Sequence, residues 1–67
     1  MKVRDLVRLL ESHGWTLRRI KGSHRQFKHP TTGAVVTVAG QAGKDVPIGT
    51  LRAIVKSAGL EKEIWKS

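Results

Sequence analysis

The sequence contains no cysteine and no tyrosine, and only five acidic residues among 67. Without cysteine there is no disulfide framework, no thiol nucleophile and no thiolate zinc site. Two Trp and one Phe are the only aromatic residues besides histidine, too few for a sheet that stacks several RNA bases. No apolar run approaches the ~20 residues of a membrane-spanning helix. The opening stretch, Met1-Lys2-Val3-Arg4-Asp5, carries charges where a signal peptide needs an apolar core. The expectation is a cytoplasmic, soluble protein with no membrane association.

Basic residues are plentiful. Thirteen Lys and Arg stand against the five acids, a net charge of +8. Such an excess on a small body calls for a polyanionic or acidic partner. The bases are spread along the chain, which argues against a disordered basic arm. Mere solubilisation is the bland reading, and nucleic-acid binding ranks above it. The length fits a single domain over 1–67, with a core over about 1–60 and a short tail over 61–67. Chains this short sit near the lower limit for unaided folding.

Val3, Leu6, Val7 and Leu10 recur at the spacing of one helical stripe, so the first helix is expected over Val3–His13. Gly14 follows as its left-handed cap. Trp15–Ile20 suits a short strand whose facing is ambiguous, because both phases hold an apolar residue and an arginine. Lys21-Gly22-Ser23 reads as a turn. In the next strand, His24–Lys28, His24, Gln26 and Lys28 share one face, while Arg25 and Phe27 share the other. Phe27 should enter the core and His24 should face away from it. Pro30–Gly33 is a turn, and Ala34–Ala39 is a β-branched strand with Val36 and Val38 on one face.

Pro47 fits the first turn of a second helix, striped by Leu51, Ile54, Val55 and Ala58 and capped by Gly59, with Leu60 packing back. Ile64 and Trp65 in the tail dock on the core or on a partner. The element order is α-β-β-β-α, an α+β fold. Short connections imply a three-stranded antiparallel sheet, and two amphipathic helices are most simply placed on one of its faces. His24 then lies on the other face or at its rim.

The run Gly22-Ser23-His24-Arg25-Gln26-Phe27-Lys28-His29-Pro30 resembles the signature of the HicA toxins. The flanks agree: Gly14-Trp15 after the first helix, Val35-Val36-Thr37-Val38 as a strand, and Pro47, Gly49, Thr50, Leu51, Ile54, Ala58 and Gly59 in the second helix. The likeness extends over about residues 1 to 60. It implies a fold like that of double-stranded-RNA-binding domains, ribosome-independent cleavage of mRNA, and neutralisation by a cognate HicB-type antitoxin. It also implies that His24 is the catalytic residue. Many members carry a second histidine directly after the first, where this chain has Arg25. Oligomerisation is expected to run through the antitoxin.

Histidine suits that role because its imidazole both takes and gives a proton near neutral pH. Cleavage without a metal needs a base for the 2′-hydroxyl, a proton for the leaving 5′-oxygen, and positive charge at the phosphate. Lys21, Arg25 and Lys28 are placed to stabilise that charge. Gly22 lets the backbone approach a phosphate, and Ser23 offers a hydroxyl donor. These five are the expected RNA-binding residues, assigned by proximity in sequence.

The other histidines invite plainer readings. His13 is a helix C-terminal residue interacting with the dipole. His29 precedes a proline and is either structural or RNA-facing. His24 and His29 face opposite ways on a continuous strand, which argues against a shared metal, and no carboxylate cluster offers another. No metal or cofactor is expected. Trp15 reads as core. Of Arg18 and Arg19, one is expected to be solvated and one to contact phosphate. Arg52 and Lys56, one helical turn apart, either track a backbone or stay solvated. The alternative to a ribonuclease is a non-catalytic RNA-binding module of the same fold.

Overall fold

The computed structural model describes residues 1–64. Val3, Leu6 and Leu10 are buried on one side of helix α1 (Val3–Ser12), while Arg4, Arg8 and Glu11 stay exposed. The helix stops because Gly14 turns to φ +90°, a conformation costly for residues with a Cβ. The Gly14 N–H then donates to the Glu11 carbonyl and the Trp15 N–H to the Leu10 carbonyl, both at 3.1 Å. This pair of bonds satisfies two free helix carbonyls and drops Trp15 into the core beside the chain's first stripe. Helix α2 (Ile48–Ala58) closes in the same way. Gly59 donates to Lys56 and Leu60 to Val55, and Leu60 is buried. Pro47 sits one residue outside α2 and not in its first turn, with φ −54° and ψ 140°.

Strands β1 (Thr16–Lys21), β2 (His24–Lys28) and β3 (Val35–Ala39) form an antiparallel meander in the order β1-β2-β3. β1 starts one residue later than the sequence pattern indicates, because the helix cap claims Trp15. It also runs one residue further, since Lys21 pairs with His24. The hairpin loop shrinks to Gly22-Ser23, and Gly22 at φ +59° in first position matches a type II′ turn. β3 begins at Val35 because Ala34 belongs to the preceding turn: its carbonyl accepts from the His29 N–H at 2.9 Å.

Phe27, Val36 and Val38 supply the sheet side of the core, and Val3, Leu6, Leu10, Leu51, Ile54 and Val55 the helix side. Both helices therefore cover one face, and the architecture is the α+β arrangement the pattern implied. Phe27, fully buried at the centre of the sheet, gains about 1.5–3 kcal/mol from burial. Val46 also enters the core, held by its N–H bond to the Met1 carbonyl at 2.8 Å beside an antiparallel Lys2–Asp45 bridge. A short helix α3 (Glu61–Ile64) opens the tail, and Ile64 packs against the core. Trp65 lies outside the described residues. Among the described residues, no helix is long and apolar enough to cross a membrane.

Candidate active site on the open sheet face

The face opposite the helices is organised by an irregularity in β1. Leu17 pairs with Phe27, but the next pair is Arg19 with Gln26, so Arg18 is an extra residue at a bulge. Paired residues share a face. A regular strand continuing from Leu17 would turn Arg19 and Lys21 towards the helices and set Ile20 opposite His24. The bulge reverses this. It places Arg19 and Lys21 on the open face and sends Ile20 to the other, opposite Arg25.

The open face carries three cross-strand rows: Thr16-Lys28-Val35, Arg19-Gln26-Thr37 and Lys21-His24-Ala39. His24 sits on the middle strand, with neighbours on both sides at the ~4.5–5.5 Å Cβ separation of direct partners. Around it lies a shallow depression of about 600 Å³ lined by Arg19, Lys21, Gly22, His24, Gln26 and Thr37. Two cations, one imidazole and two neutral polar side chains thus face a space open to water.

The three histidines have different surroundings. The His29 ring meets Trp15 edge-on, with centroids 5.2 Å apart. Its Nδ1 accepts from the Thr31 and Thr32 N–H groups at 3.3 and 3.4 Å, so this histidine holds the turn before β3. His13 caps α1 and approaches Glu63 at 3.8 Å. The exposed His24 imidazole makes no hydrogen bond or ion pair among the described residues. Among the described residues there is also no group of three or more His, Cys, Asp or Glu able to hold a metal.

Of the residues singled out in the sequence, Lys21, Gly22 and His24 come together. Lys28 shares their face but lies four residues along β2, ~13 Å away. Ser23 occupies the hairpin turn, where its carbonyl accepts from the Gly40 N–H at 3.0 Å, and it does not line the depression. Arg25 points to the helix side and donates to the Gly40 carbonyl at 3.1 Å. Arg19 is the member of the Arg18–Arg19 pair that lines the depression. Thr37 lines the depression as well, a residue that the motif around His24 does not single out. Its signal is its position between two core valines, which forces it to the opposite face.

The family model of the HicA toxin of bacterial toxin–antitoxin systems matches residues 3–60. The chain belongs to the HicA toxin family. No match to a curated protein accompanies that finding. Family membership makes this HicA chain the toxin of a toxin–antitoxin pair and implies an antitoxin as its partner. The matched span ends at Leu60, the residue that completes the α2 cap, so it takes in the sheet, both long helices and every residue around His24.

Proposed function

We propose that this HicA protein is a metal-independent endoribonuclease that cleaves mRNA in the cytoplasm, with His24 as its catalytic residue. The observation that carries the reading is the isolation of one exposed, unengaged histidine amid cations on the sheet face that the core leaves open. His24 takes the proton of a ribose 2′-hydroxyl. The 2′-oxygen forms a bond to the adjacent phosphorus, and the bond from phosphorus to the 5′-oxygen breaks. The leaving oxygen takes a proton from solvent water, and the hydroxide so formed takes up the proton held on His24, which restores the neutral imidazole. The products are a 2′,3′-cyclic phosphate and a 5′-hydroxyl end. Arg19 and Lys21 offset the charge that builds on the phosphoryl oxygens. Gln26 and Thr37 offer neutral donors beside them, and Gly22 keeps the hairpin low enough for a backbone to pass.

A HicB-type antitoxin acts most directly by covering this face, and an acidic surface on it would match the +8 charge of the toxin. Assembly into larger oligomers then runs through the antitoxin. A complex in which the His24 face stays open would refute occlusion.

The test is RNA cleavage in EDTA by the purified protein and its His24→Ala variant, with the new ends identified. Loss of a general base is expected to slow cleavage by ~10²–10⁴-fold while the fold persists. Cleavage by the variant at the wild-type rate would overturn the assignment. Salt-sensitive RNA binding without cleavage by either protein would establish the non-catalytic binding module instead.

A further inference from the structure

A second basic site lies on the helix side of the same sheet end. Arg25 follows His24 in β2 and therefore leaves the opposite face. Its Nη1 donates to the Gly40 carbonyl at 3.1 Å, and the Gly40 N–H donates to the Ser23 carbonyl at 3.0 Å. Arg25 is thus tied to the hairpin that carries His24. Arg4 and Arg8, one turn apart on α1, approach from the other side. The Arg4 N–H bonds the Ala42 carbonyl at 3.1 Å, which fixes the loop after β3 against α1. Between them runs a groove of about 220 Å³, bounded by Arg4, Arg8, Arg25, Val7, Glu11 and Ala42.

Among the described residues, three guanidinium groups border this groove and one carboxylate, that of Glu11, does. Among the described residues, Arg4 and Arg8 form no ion pair. The bond to Gly40 uses one of the five N–H donors of Arg25. Like charges brought together repel unless an anion joins them. Arginine forks match the paired oxygens of a phosphate. A groove of this size, with guanidinium forks on both of its sides, suits a phosphodiester.

We propose that this groove binds backbone phosphates of the RNA strand beyond the segment held at His24. The strand crosses the open face, rounds the sheet end formed by Ser23 and Gly40, and continues along α1. The proposal rests on the reading of the His24 face as an RNA site, and it adds a dependence on RNA length.

The test uses His24→Ala protein, so that RNA is not consumed, and single-stranded RNAs of ~4 and ~16 nucleotides. Binding is measured across a salt series, with and without Arg4→Ala and Arg8→Ala together. Each lost phosphate contact should flatten the plot of log affinity against log salt by ~0.7, so the pair should flatten it by ~1.4 on the long RNA. The short RNA should respond little. Thermal melting verifies the fold, and Lys62→Ala removes a positive charge from elsewhere on the surface. An unchanged slope on the long RNA, or an equal loss in the lysine control, would overturn the groove. So would an unchanged RNA slope with lost antitoxin binding, which would assign the groove to protein. Failure of the His24→Ala protein to bind either RNA would overturn the parent reading and this proposal with it.

Discussion

Lys21 and Lys28 share the face of His24, yet the register sets them at different distances from it. Lys21 is the direct cross-strand partner of His24. A phosphate within reach of His24 therefore lies ~6 Å from the Lys21 ammonium and ~13 Å from that of Lys28, given the rise along a strand. At an effective dielectric constant of ~40, intermediate between protein surface and water, a unit charge at ~6 Å contributes ~1.4 kcal/mol, about tenfold in rate. At ~13 Å in water, with a screening length of ~8 Å, the contribution falls below ~0.1 kcal/mol. Lys21→Ala should slow single-turnover cleavage of a short RNA about tenfold, and Lys28→Ala less than twofold. Both side chains are polar-face residues outside the core, so melting temperatures should barely differ. If Lys28→Ala slowed cleavage as much as Lys21→Ala, the placement of the reacting phosphate at the Lys21–His24 end would be wrong.

His29→Ala should lower stability by about 1–2 kcal/mol, because two turn N–H groups lose their acceptor and Trp15 loses its edge contact. Chemical denaturation reads that loss, and cleavage by the folded fraction should stay at the wild-type rate; a drop comparable to that of His24→Ala would make His29 a second catalytic group. Phe27→Ala removes a fully buried ring at a cost of about 3–5 kcal/mol. A domain of this size is stable by only about 3–10 kcal/mol, so circular dichroism should show a chain largely unfolded or melting far lower. Melting within a few degrees of the wild type would refute the role given to that ring.

The sequence signals that proved legible are local. β2 starts and ends where its alternation indicates, and the Gly14 and Gly59 stops follow from stripes that end beside a glycine. Phe27 inward and His24 outward follow from a period of two. β1 was not legible in the same way. Each of its phases contains one apolar residue and at least one arginine, so no hydrophobic pattern pins its register. The bulge at Arg18 shows only once β1 lies against β2, and it decides that Arg19 and Lys21 join His24. The alternation of β2 turns Arg25 to the Phe27 side, so its nearness to His24 along the chain is not nearness on one face. Val46 was missed because its anchor, the Met1 carbonyl, lies at the other end of the chain. His24 itself was identified from the motif around it, since periodicity marks it only as exposed.

All six residues of β1 are exposed, and among the described residues β2 is its only strand neighbour. Its ladder to β2 therefore has little apolar burial behind it, in contrast to β3, which seats Val36 and Val38 beneath the helices. Segments with few buried contacts open first and most often. β1 amides should exchange with deuterium sooner than those of β3. Each opening carries Arg19 and Lys21 away from His24 while the helices and the other two strands stay packed. The ribonuclease reading then gives the protein two thermal limits, a lower one at which the reacting face comes apart and a higher one at which the core melts.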